Sequence, residues 1–159
     1  MPEWLTHVIF AYLVFKLCSL RYRSLDGADM ALVLMGSILP DFSKIDLAFG
    51  VAGMDIQNMV DPLHTPIGSI LVAGLLSLLF QNCLKAFMLL VIGAGTHLLL
   101  DTMESQIAGG IMLMFPLSCN KYSLAILPND DWRVGAILLA AMLAVVTVLR
   151  ILKKVCRKT

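Results

Sequence analysis

Charge is scarce in this chain. Aspartate, glutamate, lysine and arginine together make 14% of its 159 residues, against 59% hydrophobic residues, and the mean hydropathy is +0.87. So little charge cannot clothe a soluble domain of this length, and the composition is that of a membrane protein. The formal net charge of +1 is uninformative as a total, so nucleic-acid binding through a basic surface has no support. Cysteine is sparse too: Cys18, Cys83, Cys119 and Cys156 stand far apart without a CxxC spacing. That excludes a disulfide framework and a thiolate zinc knuckle, and leaves the four as expected packing residues. The opening MPEWLTHVIF lacks a basic n-region and a small-residue cleavage site, so the first apolar segment is expected to stay in the mature protein. There is no repeat and no low-complexity tract. Histidine occurs only at positions 7, 64 and 97.

What is abundant is apolar sequence in long runs. Trp4 to Leu20, Ala28 to Leu39, Pro66 to Phe80, Ala86 to Met103 and Val134 to Leu152 are each apolar enough to lie in a bilayer. The expected fold is all-α: an integral membrane helical bundle of about five transmembrane helices, forming a single domain over residues 1–159. The second and third runs have 12 and 15 residues and, at ~1.5 Å per residue, fall short of a ~30 Å hydrocarbon core. They should start or stop below the surface. Glycines 36, 68, 74, 93 and 95 sit within these runs, where the missing side chain lets helices approach closely. Asp41 to Leu63 reads as a loop or surface helix.

Orientation follows from lysine and arginine. Arg21 and Arg23, then Lys85, then Lys153, Lys154, Arg157 and Lys158 fall on one side of a five-span topology, which the positive-inside rule makes cytoplasmic. The N-terminus is then outside, the C-terminus inside, and the aspartate-rich loop after Asp41 outside. This arrangement requires Ile107 to Leu117 not to cross, so that piece is expected to be re-entrant or interfacial.

On this topology His7, Asp41, His64, His97 and Asp101 all fall at the outer end of the bundle, although histidine played no part in drawing it. His97 and Asp101 are four residues apart in GAGTHLLLDT and face one way on a helix. Each residue alone has a plainer reading. The HxxxD pair can be an internal hydrogen bond, Pro40-Asp41 a helix stop, His7 beside Trp4 an interfacial anchor, and His64 between two prolines a turn cap. Their convergence favours a cation. An isolated carboxylate in a low-dielectric bundle costs several kcal/mol, and a divalent ion supplies the missing pairing. Imidazole with carboxylate suits Zn2+ first, then Mn2+ or Fe2+.

The ordered set His7, LPD at Leu39 to Asp41, HTPIGS from His64, HLLLD from His97 and FPLSCNKYSL from Phe115 resembles the LexA-regulated, membrane-bound metal-dependent hydrolases of bacteria and archaea. That family is in turn similar in ligand order to the all-helical zinc-dependent phospholipases C. The resemblance implies a multi-pass protein of a prokaryotic plasma (inner) membrane. It implies that Asp41, His64, His97 and Asp101 hold one metal, with Asp101 reaching a second that is shared with His7. The chain departs from the pattern where many members have PDxDH and a histidine-arginine pair, since it reads PDFSKID and NMVDPLH. No histidine follows His97, so one or two ions are expected, not three.

The function expected on these grounds is metal-dependent hydrolysis of a phosphate ester in a membrane lipid or lipid-linked substrate near the outer face. Asp46 or Glu104 is the expected general base; Lys44, Lys121 and Arg133 fall on the outer side, where they read first as solvated or snorkelling interfacial charges and second as cations that hold a phosphate. Two other functions fit intramembrane His and Asp. A metal or proton transporter needs a polar path to the other face, where the sequence offers only Lys16. A membrane protein with a purely structural metal needs a closed set of four ligands.

Overall fold

The computed structural model describes residues 4–22, 24–44, 60–105, 109–127 and 132–156. Among these, five α-helices follow one another: α1 (Trp4–Arg21), α2 (Gly27–Gly36), α3 (Pro66–Ser77), α4 (Cys83–Met103) and α5 (Trp132–Cys156). Two short 3-10 turns, Leu39–Lys44 and Asp61–His64, flank the loop between α2 and α3. Isolated bridges at Glu104 with Leu127 and Ile111 with Tyr122 are the sole β pairing described. Of the described helices, α4, at 21 residues, is the one long and apolar enough to cross a membrane by itself; the apolar parts of the others run to 10–17 residues.

Local chemistry sets the helix ends. Asp26 caps α2 by accepting from the Asp29 N–H at 2.9 Å, while the Asp29 carboxylate accepts from the Asp26 N–H at 3.1 Å, a reciprocal box that satisfies two donors at the helix start. Thr65 caps α3, accepting from the Gly68 N–H, with Pro66 in the first helical position, where no N–H is needed. Asn82 caps α4 through the Lys85 N–H at 3.2 Å. The second apolar run was expected to stay helical to Leu39, yet α2 ends at Gly36. Pro40 cannot donate to the helix and pushes Leu39 away from helical angles, so the chain tightens into the 3-10 turn that carries Asp41.

Packing centres on α4, which lies against α2, α3 and α1, while α5 lies against α1. A Cβ on Gly93 would stand 2.1 Å from the Val33 carbonyl oxygen, and one on Gly36 would stand 2.3 Å from that of Leu90. The α2 and α4 backbones therefore touch. Gly68 plays a similar part where the Asp61–His64 turn folds over α3, its Cβ position 2.0 Å from the Pro62 carbonyl oxygen. Gly74 and Gly95 make no such approach. Ala11, Phe15, Val33 and Leu89 form one buried cluster, and Leu39, Ala73 and Leu90 another.

The cysteines and Asp29 depart from expectation. Cys18, Cys83 and Cys119 are exposed on the chain's surface, so they do not pack the bundle; two lie near helix ends and one in an irregular segment, away from the helix contacts. Residues 109–117, the described part of the piece expected not to cross, form no helix, and Ile111 pairs antiparallel with Tyr122. Asp29, one of the residues assigned to an apolar run, is buried and paired with Lys85 Nζ at 2.6 Å, tying the start of α2 to the start of α4. Because Lys85 is half exposed, that ion pair is screened. Asp26→Ala, which removes the cap, should lower stability by about 1 kcal/mol, and Lys85→Ala by less, as measured by unfolding in detergent.

Candidate metal centre

Four helices bring their ends to one place. The start of α1 supplies His7, the turn after α2 supplies Asp41, the turn before α3 supplies His64, and the last two turns of α4 supply His97 and Asp101. His97 has no exposed surface, and His7, Asp41 and Asp101 are also buried. The donor atoms of His7, His97 and Asp101 lie within 4.8 Å of one another, as do those of Asp41, His64 and His97. The five side chains singled out as candidate ligands thus stand in one cluster.

Asp101 is at its centre. Its Oδ2 lies 2.8 Å from His64 Nε2 and 3.2 Å from His97 Nε2, and its Oδ1 lies 3.3 Å from His7 Nε2. Asp41 Oδ1 completes the group at 3.6 Å from His97 Nε2. The His7 and His97 rings stack with centroids 3.8 Å apart and planes 15° from parallel, while His64 meets His97 edge-on.

Backbone carbonyls decide which ring nitrogens can bind an ion. His97 Nδ1 is 2.7 Å from the Ser37 carbonyl oxygen and His64 Nδ1 is 3.1 Å from that of Pro40. A carbonyl only accepts, so Nδ1 must donate in both rings, and each neutral ring turns a lone pair outward at Nε2. These Nε2 atoms face carboxylate oxygens, so positive charge belongs between them: a proton, as in the 2.8 Å hydrogen bond between His64 Nε2 and Asp101 Oδ2, or a bound cation. His97 Nε2 is buried without a hydrogen-bond partner. Burial disfavours the imidazolium at His64, but the Asp101 carboxylate outweighs it and raises the His64 pKa above its ordinary value. The position between these atoms therefore attracts positive charge, and the donor set of two imidazoles and two carboxylates fits a divalent cation.

The α2–α4 contact explains why the Ser37 carbonyl is available. Ser37 follows Gly36 directly, and the Gly93 Cβ position is 2.8 Å from the Ser37 nitrogen, so the close approach of the helices delivers that carbonyl to the His97 ring one turn along α4. His64 is held by Thr65, whose hydroxyl donates to the Pro62 carbonyl at 2.6 Å. Neither backbone acceptor was foreseen from sequence. The glycines 36 and 93 were the available signal, since they mark where backbone comes within reach of a side chain.

None of the remaining expected residues that are described belongs to these donor groups. Asp46 lies outside the described residues, as does the Lys44 side chain. Glu104 is buried at the end of α4, where its carbonyl accepts from the Ser123 hydroxyl at 2.6 Å, but it is not among the residues whose donor atoms gather within 4.8 Å. Lys121 and Arg133 are exposed. Among curated proteins and among solved structures, no match to the chain is found. The family described as YdjM inner membrane protein matches residues 1–157, in keeping with the resemblance to LexA-regulated membrane proteins, and the chain belongs to that family.

Proposed function

We propose that the chain is a metal-dependent hydrolase of the inner membrane, acting on a phosphate ester of a lipid or lipid-linked molecule. The observation that carries this reading is the pair of Nε2 atoms, oriented by Ser37 and Pro40, that converge on two buried carboxylates. His97 Nε2 has no hydrogen-bond partner, which a purely internal hydrogen-bond network would not leave in a buried site. Likeness to the zinc-dependent phospholipases C rests on ligand order, and the choice of phosphate over a carboxylic ester rests on that likeness.

The donor geometry favours one ion. Each of His64 and His97 offers a single nitrogen, because its Nδ1 is committed; with Asp41 they make one three-donor group, and Asp101 Oδ2, near both rings, would bring it to four. A second ion would be left with His7 Nε2 and Asp101 Oδ1, fewer than the three protein donors usual in catalytic zinc sites. A bound Zn2+ would supply Lewis acidity toward a phosphoryl oxygen and make a water acidic enough to ionise near pH 7. The chain's own part is to orient the two imidazoles through backbone carbonyls, to keep bulk water away by burying His7, His97, Asp41 and Asp101, and to leave His64 as the partly open edge.

Transport is the weaker reading. Asp29 adds a buried carboxylate in the far half, but Lys85 pairs with it. Between that pair and the His/Asp cluster the α2–α4 contact is filled by Val33, Leu89 and Leu90, which offer an ion no polar step. The five-span arrangement, with the N-terminus outside, belongs to the same proposal. In support of it, α1 and α3 start and α2 and α4 finish at the cluster's end. Gly135 near the start of α5 lies against Thr6, so α5 starts there too.

The test is hydrolysis of a chromogenic phosphodiester and of phospholipid in mixed micelles, with and without added Zn2+. Turnover that needs metal and disappears in Asp41→Asn is expected. Metal binding without turnover of either substrate would turn the reading toward a structural ion.

A further inference from the structure

The irregular segment after α4 has features that the metal centre does not use. It is fastened to the cluster's end of that helix. The Leu124 N–H donates to the Thr102 carbonyl at 2.8 Å, the Ile126 and Leu127 N–H groups to that of Met103 at 2.9 Å, and the Ser105 N–H to that of Leu127 at 2.9 Å. Within it Ile111 and Tyr122 exchange two backbone hydrogen bonds at 2.9 Å. Gly110 at φ 110° runs so close to Tyr122 that a Cβ there would stand 2.1 Å from its carbonyl oxygen. Residues 111–122 therefore form a pinned hairpin.

Its tip is the reverse of a soluble loop. Leu113 to Ser118, LMFPLS, carries no charge, and Leu117 is 92% and Met114 57% exposed. Leu124 and Ile126, beside the last turn of α4, are exposed as well. This apolar surface is a continuation of another. Leu84, Met88, Ile92 and Leu99 form an exposed stripe along α4, opposite the face that carries Leu90, Gly93, His97 and Asp101. In an inner-membrane protein such a stripe meets lipid, and Ile126 and Leu124 extend it past the helix end through their bonds to Met103 and Thr102. Aromatic side chains lie at this end of the bundle. Trp4, one turn before His7, and Tyr122, at the base of the hairpin, are both exposed, as is usual where a protein leaves the hydrocarbon for the headgroups.

We propose that residues 111–127 are a lipid anchor, with Met114, Leu117, Leu124 and Ile126 embedded in the bilayer at the face where the His/Asp cluster lies. The occupant of this surface is the acyl region of that leaflet. The segment then holds the end of α4 at the depth of the headgroups, so that a lipid phosphate lies level with the cluster. The anchoring stands whether or not the cluster holds a metal.

Tryptophan at the tip reads the environment directly. In a Trp4→Phe, Trp132→Phe background, Leu117→Trp and, separately, Leu124→Trp are reconstituted as the full chain into phosphatidylcholine vesicles with brominated acyl chains. Leu99→Trp serves as the reference on the α4 stripe. Blue-shifted emission, lost largely to bromolipid and little affected by aqueous iodide, is expected at all three positions. Quenching of the 117 and 124 reporters by iodide with no effect of bromolipid, while the 99 reporter responds to bromolipid, would overturn the anchor. So would shielding from both quenchers, which would mean that protein covers the tip.

Discussion

Purified in detergent, the chain should carry about one Zn2+, and His97→Ala, His64→Ala and Asp101→Ala should each carry almost none, whereas His7→Ala should keep most of it. His64 and His97 turn one nitrogen each toward Asp101 Oδ2, at 2.8 and 3.2 Å, and Asp41 Oδ1 lies 3.6 Å from His97. Removing any of the four leaves three donors and a buried carboxylate facing a void. Even an outer-shell hydrogen bond to a ligand is worth roughly 10–100-fold in metal affinity, so loss of a direct donor should exceed that. His7 differs in construction. Its Nδ1 is buried without a hydrogen-bond partner, no carbonyl commits its tautomer, and its contact with Asp101 is to the other oxygen, at 3.3 Å. Elemental analysis of the variants against the parent gives the answer. Two ions per chain, one of them lost with His7, would show that donors outside the cluster complete a second site and would overturn the single-ion reading. Equal metal content in the parent and His97→Ala would remove the centre altogether.

That pattern of effects also shows where sequence was informative. The five side chains could be gathered because each lies at the end of a long apolar run, and the alternation of runs sets which ends meet. Boundaries moved by a few residues where caps decide them. Asn82 starts α4 at Cys83, three residues before the expected Ala86, and the turn at Leu78 closes α3 at Ser77, short of Phe80. Composition could not show that Asp29 is buried, because its partner Lys85 lies 56 positions away and only the packed helices bring the two together; the Asp26-to-Asp29 capping spacing was the local hint. The carbonyls of Ser37 and Pro40 were beyond reach for a different reason. Every residue has a carbonyl, so the one that fixes a histidine is selected by helix contact and not by residue type. The general base stays a matter of proposal, with Asp46 outside the described residues and Glu104 outside the donor groups.

The contact that selects the Ser37 carbonyl makes Gly93 the most sensitive small residue in the chain. Alanine normally favours a helix interior over glycine by about 1 kcal/mol, and Gly95→Ala, with open space around it, should follow that rule and be neutral or slightly stabilising. Gly93→Ala, two residues away on the same helix, should do the opposite. Its methyl group would stand 2.1 Å from the Val33 carbonyl oxygen and 2.8 Å from the Gly36 Cα. These are backbone atoms that cannot swing aside, so α2 and α4 must separate by an ångström or more, at a cost of about 1–3 kcal/mol for overpacking. Separation also draws the Ser37 carbonyl away from His97 Nδ1, now at 2.7 Å, and frees the ring to turn. Gly93→Ala should therefore lose metal affinity as well as stability, the first by roughly the 10–100-fold of a missing hydrogen bond to a ligand. Thermal unfolding of the two alanine variants in the same detergent, with competition for Zn2+ against a chelator, separates the outcomes. A Gly93→Ala protein as stable as Gly95→Ala, with undiminished metal binding, would mean that the α2 and α4 backbones do not touch.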